Sequence, residues 1–120
     1  MATELFPILA TTDLARSLAF YRDLLGGVVT YEFAGPDGSP AYVSLGFGSS
    51  QLGIGADPAA ARGPGPVSLW IYTADCDALI ARLREAGIAI LEEPADQPWG
   101  ERVARVLDPD GNEVIIGSKA

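Results

Sequence analysis

The chain contains no histidine, and among its 120 residues it has one cysteine and one methionine. Without histidine, Ser-His-Asp and Cys-His catalysis are excluded, and a metal site would have to do without imidazole. With Cys76 alone, no intrachain disulfide forms. Long apolar runs are missing too: none approaches the roughly 20 residues that span a bilayer. The opening stretch "MATELFPILATTD" lacks the basic segment and apolar run of a secretion signal. These absences set the expectation of a cytoplasmic protein. Basic residues are scarce, 8 against 16 acidic ones, for a net charge of −8. An acidic chain is repelled by nucleic acid and by anionic membranes, so neither is an expected partner. The charge suits a cationic ligand, although solubility alone is sufficient to account for it.

Hydrophobic residues make up 48% and charged residues 20%, the composition of one globular domain with a real core. The first half reads strand, helix, then three strands. "ELFPILATT" is apolar enough for a buried strand. Thr12 or Asp13 caps the helix that follows, because a short side-chain oxygen accepts from its orphan amides. Leu14, Leu18, Tyr21 and Leu25 recur at helical spacing, with Ala15 and Phe20 widening the apolar face. Gly26-Gly27 ends the helix. "VVTYEF", "AYVSLGFG" and "QLGIG" are strands, the first two separated by the turn residues "AGPDGSP". The second half repeats this order: "GPVSLWIYT", a helix capped by Asp75 and carrying Leu79, Ile80 and Leu83, then "IAILEE", "ERVARVLD" and "NEVIIG".

The halves align at one offset. Asp75 follows Asp13 by 62 positions, as Thr73 follows Thr11 and Ile116-Gly117 follows Ile54-Gly55. A duplicated β-α-β-β-β unit is the inference. Module 1 is expected over about 1–57, a Pro/Gly/Ala-rich linker over about 58–65, and module 2 over about 66–120.

With two such units, "DLARSLAFYRDLLGG", "DPDGNEV" and "QPWGERVARVLDPDGNEV" resemble the vicinal oxygen chelate superfamily (the glyoxalase, bleomycin-resistance and dioxygenase group) over nearly the whole chain. The Gln-Pro-Trp-Gly element looks most like the bleomycin-resistance branch. The resemblance implies an α+β fold of two tandem β-α-β-β-β modules forming an open cupped sheet. It further implies a homodimer in which strands or domains are exchanged, with ligand clefts near the subunit interface. The DPDGN hairpin and the helix fit the wider superfamily as well as that branch.

Enzymes of the superfamily hold a divalent metal on His and Glu at four strand positions. Carried over by spacing from the helix caps and the last turn, these fall on Phe6, Gly53, Ser68 and Ile115. Such residues do not supply a metal's donor set, so no metal and no cofactor are expected. Asp108, Asp110 and Glu113 are close in sequence, but Asp-Pro-Asp-Gly is first of all turn chemistry. Cys76 lies just past a helix cap, where a thiol pKa can fall; packing is its expected role.

Phe6, Phe20 and Tyr21 read as core. Trp99, between Pro98 and Gly100, is either a rigid stacking surface for a planar ligand or a plug of the fold or dimer. In the resembling branch the matching Trp stacks on the drug, and Tyr31 lies near a second aromatic wall. Tyr31 and Phe33 share a strand face, as do Tyr42, Ser44 and Gly46. Trp70 points with Ser68. Of Glu101 and Arg102, only one can face a site. Glycines 46, 48, 53 and 55 are expected to make room for a ligand. The candidate ligand-binding set is therefore Trp99, Tyr31, Phe33, Trp70, Tyr42, Ser68 and Glu101, with no catalytic residue. The expected function is non-enzymatic sequestration of a planar aromatic or cationic small molecule, an antibiotic by resemblance. The alternatives are a superfamily enzyme without the usual metal, or with a carboxylate-held one, and a ligand-binding accessory of a biosynthetic pathway.

Overall fold

A computed structural model describes residues 1–119. The chain divides into two compact units, 1–61 and 62–120. In the first, β1 (Ile8–Thr11) leads into helix α1 (Leu14–Leu18, continuing to Leu24), then β2 (Val28–Ala34), β3 (Pro40–Phe47) and β4 (Ser50–Ala56). The sheet order is β1-β4-β3-β2, with β1 parallel to β4 and the other pairs antiparallel. The second unit repeats the plan with β5 (Leu69–Tyr72), α2 (Cys76–Glu85), β6 (Ile90–Asp96), β7 (Arg102–Leu107) and β8 (Glu113–Ser118). Its order is β5-β8-β7-β6, again with one parallel pair. The α+β fold of two β-α-β-β-β modules is therefore present.

Both helices start as their sequences dictate. The Asp13 carboxylate accepts from the Arg16 amide at 3.1 Å, and Asp75 from the Ala78 amide at 3.0 Å. The first helix then departs from the 3.6-residue pattern. It is α-helical over Leu14–Leu18 and π-helical over Ala19–Leu24. The Leu25 amide reaches back to the Phe20 carbonyl at 3.0 Å. The wider turn lets the consecutive Phe20 and Tyr21 both be buried, edge to face at 4.7 Å. Ser17 takes the buried place expected of Ala15, which is exposed.

Each sheet has one face under its helix. In the first unit Val43, Leu45, Leu52 and Ile54 are buried there with Leu14 and Leu18. In the second, Ala104, Val106, Val114 and Ile116 are buried with Ile80 and Leu83. Side chains alternate along a strand, so the residues between these point to the opposite, open face. The start of the chain departs from the expected core: the strand expected to be buried over 4–12 is only Ile8–Thr11, with Ile8 exposed, and Phe6, which precedes it, is 42% exposed, because β1 lies at the sheet edge. β5 is also shorter than expected, leaving 65–68 outside it.

One turn occurs three times. In Gly35-Pro36-Asp37-Gly38-Ser39, Gln97-Pro98-Trp99-Gly100-Glu101 and Asp108-Pro109-Asp110-Gly111-Asn112, the fourth residue's amide donates to the first carbonyl at 2.9–3.0 Å. The first amide donates to the fifth carbonyl at 2.7–2.8 Å. Proline presets the second position, and the glycine takes φ of +83°, +98° and +85° respectively. This is the type I turn closed by a left-handed residue that joins antiparallel strands. Trp99 thus stands at a hairpin tip, at the place Asp37 holds in the first unit.

Candidate functional site

On the open face of the first unit, cross-strand register brings the sequence candidates together. Tyr31 is opposite Ser44, and Phe33 opposite Tyr42. Ser44 and Tyr42 are in turn opposite Gly53 and Gly55. The Tyr31 and Tyr42 rings lie 6.2 Å apart, tilted by 55°. A bulge between Val29 and Tyr31 brings Thr30 to the same face. Hydroxyls of Thr30 and Ser44 donate to Gln51 Oε1 at 3.3 and 2.9 Å. The glycines do not leave empty room here. A β-carbon on Gly53 would lie 2.3 Å from the Tyr42 hydroxyl, and one on Gly46 would lie 3.2 Å from Thr30 Cγ2. Neighbouring side chains use that space. Gly48 belongs to a turn.

The open face of the second unit joins Trp70, Tyr72 and Glu101 at one end. Trp70 and Tyr72 alternate on β5, and their rings lie 6.0 Å apart. The Trp70 ring covers Gly117, where a β-carbon would lie 3.2 Å from the indole nitrogen. Trp99 Nε1 donates to Glu101 Oε1 at 2.6 Å. Glu101 also raises the Tyr72 phenol pKa, first through a hydrogen bond, with desolvation and its negative charge adding. The Lys119 ammonium sits 4.8 Å from the centre of the Tyr72 ring. Trp99 itself is 61% exposed, so it does not plug the chain. Arg102 turns to the helix side, donating to both Asp77 oxygens at 2.6 and 3.1 Å and to Asp96 at 3.1 Å. That leaves Glu101 on the site's side.

Further along the same face, Arg105 is paired with Glu113 at 2.5 Å and with Glu92 at 3.3 Å. Ser68 Oγ donates to Glu113 at 3.3 Å. Tyr72, Glu92, Arg105 and Lys119 were not singled out from sequence. Tyr72 was within reach, since it alternates with Ser68 and Trp70. Glu92 and Arg105 meet only through strand register, which the sequence pattern leaves open. Cys76 is buried, its thiol donating to the Ile116 carbonyl at 3.5 Å. Burial, with Asp77 and Asp75 nearby, pushes its pKa up, which fits packing and not a nucleophile.

Residues 5–116 match the Glyoxalase/Bleomycin resistance protein/Dioxygenase superfamily. The chain belongs to this superfamily. It is 27% identical to an uncharacterized protein of Mycobacterium bovis, over 94% of this chain and 81% of the relative. Among solved structures, it resembles a bleomycin resistance determinant encoded on the transposon Tn5, with a TM-score of 0.71 and 23% identity over 98% of both chains. It also resembles a lactoylglutathione lyase of Agrobacterium tumefaciens, with a TM-score of 0.71 and 22% identity over 98% of this chain and 94% of that one. At such identities the structural likeness establishes the fold.

The superfamily's metal does not fit these residues. A divalent ion asks for imidazole and carboxylate donors. At the four corresponding positions, Phe6, Gly53 and Ile115 offer no side-chain donor, and the Ser68 hydroxyl is bonded to Glu113. Any side chain at position 53 would also have to displace Tyr42. The acidic residues nearby are otherwise engaged. Asp108 accepts from the Asp110 and Asn112 amides at 2.9 and 2.8 Å, holding its own turn, and Glu113 is tied to Arg105. Among the described residues, no group of three or more His, Cys, Asp or Glu is placed to hold a metal ion. Nor is any helix among them long and apolar enough to cross a membrane.

Proposed function

We propose that this protein binds and sequesters a small planar aromatic compound bearing positive charge, an antibiotic of the bleomycin kind, without transforming it. The reading rests chiefly on Trp99. Its indole is exposed at the tip of a rigid turn, and its nitrogen is tied to Glu101. A large, preorganised ring beside a carboxylate stacks on a flat cation at little entropic cost. Trp70 and Ser68 extend that surface. Tyr31, Phe33 and Tyr42 supply a second aromatic surface on the first unit. The Tn5 determinant, a protein of this fold, carries bleomycin resistance in its name. Binding of this type needs no nucleophile, general base or metal. The protein works in the cytoplasm as a homodimer; Val28 and Val29, exposed on the edge strand β2, offer an apolar surface for a second copy.

Titration with bleomycin, followed by tryptophan fluorescence, tests the reading. Saturable quenching is expected near one ligand per chain, and it should be lost in Trp99→Ala. A flat titration would remove the bleomycin type of ligand, and quenching unchanged in the variant would remove the Trp99 site.

A further inference from the structure

The second unit already has a cation resting on its aromatic surface. Lys119 Nζ lies 4.8 Å from the Tyr72 ring centre, within the range of cation–π attraction. Tyr72 is half exposed, and Trp70 stands beside it with ring centres 6.0 Å apart. The Glu101 carboxylate accepts a hydrogen bond from the Tyr72 hydroxyl and is itself fixed by the Trp99 indole. Tyr72 and Trp99, both held to Glu101, together with Trp70 beside Tyr72, form a recognition set for an alkylammonium group, and a neutral ligand would lack the charge attraction of that carboxylate.

We propose that Trp70, Tyr72 and Glu101 form an organic-ammonium subsite, and that Lys119 is its tethered occupant, which a ligand's ammonium must displace. This rests on the sequestration reading and deepens it by assigning the cationic end of the ligand to a particular place. The planar part stacks on Trp99 while the ammonium replaces Lys119 over Tyr72. Lys119 thereby sets a threshold: neutral aromatics leave it in place, and only cationic ligands exchange with it. An exposed cation–π contact corresponds to a competition of about two- to fivefold in affinity.

Tetramethylammonium is the probe and tert-butanol its neutral counterpart, with sodium chloride held at matched ionic strength. The two indole N–H resonances of the 15N-labelled full chain, from Trp70 and Trp99, report the site. Tetramethylammonium is expected to shift the Trp70 resonance saturably, and tert-butanol is not. Lys119→Ala should tighten binding by about two- to fivefold. Glu101→Gln, which keeps an acceptor for the Trp99 indole, and Tyr72→Leu should each weaken it. Absence of a saturable Trp70 shift, or an affinity unchanged in Lys119→Ala and Glu101→Gln, would overturn the subsite. Quenching of Trp99 by bleomycin is read in the same samples. If it persists without an ammonium response, only the subsite fails; if the ammonium response stands alone, the sequestration reading fails.

Discussion

The Tyr42 phenol lies across Gly53, so that a β-carbon on the glycine would meet the hydroxyl oxygen at 2.3 Å and the ring at 2.9 Å. One strand's bare backbone is the seat of the next strand's aromatic ring. Gly53→Ala is therefore expected to push the half-exposed Tyr42 ring off its place, at a cost of about 1 kcal/mol or less because the ring end can swing aside. With Tyr42→Ala already made, the same change should cost much less. Urea unfolding of the two single variants and the double variant measures the coupling. Additive effects would contradict the contact.

The turn that carries Trp99 makes a separate claim. Gly100 has φ of +98°, which costs an ordinary residue about 1–2 kcal/mol. Gly100→Ala should lower stability by about that amount, and Gly100→Asn by less, because asparagine tolerates the left-handed region. Trp99→Ala, at an exposed tip, should change stability by less than about 0.5 kcal/mol. Thermal unfolding tests all three. A large loss in Trp99→Ala would show that the indole supports the fold.

Acid stability follows from Asp77. Arg102 donates to both of its oxygens and holds its pKa below the ordinary value of 3.8. A carboxyl whose folded pKa is depressed contributes stability at pH values above its unfolded pKa and loses it as pH falls through the folded one. Asp77→Asn should therefore lose less stability than the parent between neutral pH and about pH 3. The pair is partly exposed, so salt should narrow the difference. Equal acid losses in the two proteins would contradict this account.

Cys76 should be chemically silent in the folded protein. It is buried, its pKa is raised by that burial, and its thiol is bonded to Ile116. A thiol-reactive dye is expected to label it at a rate that follows unfolding as denaturant rises. Prompt stoichiometric labelling of the native protein would contradict its packing role.

Much of this architecture was legible in the sequence because the chain states it twice. The offset of 62 ties Asp13 to Asp75, and both carboxylates cap helices. Period-two alternation grouped Tyr31 with Phe33, and Tyr42 with Ser44; the structure puts both pairs on one face. Alternation does not say which face lies under the helix, and Phe6 read as core only because aromatic rings bury large areas in a small domain. It precedes β1 and is exposed. The π-helical stretch from Ala19 was hidden as well, because Tyr21 and Leu25 fit α-helical spacing while the neighbouring Phe20 and Tyr21 both needed burial. Pairings such as Arg105 with Glu113 depend on register between β7 and β8, and Lys119 over Tyr72 depends on where β8 ends beside β5.

Recovery of the ligand tests the central claim most directly. The protein would be incubated at length with bleomycin, with and without a metal chelator. The complex would then be isolated and denatured, and the released compound weighed by mass spectrometry. Sequestration predicts about one molecule per chain with its mass unchanged, in the same amount in both samples, and little retained by Trp99→Ala. A compound of altered mass, formed in excess of the protein, would contradict the account and show a catalyst.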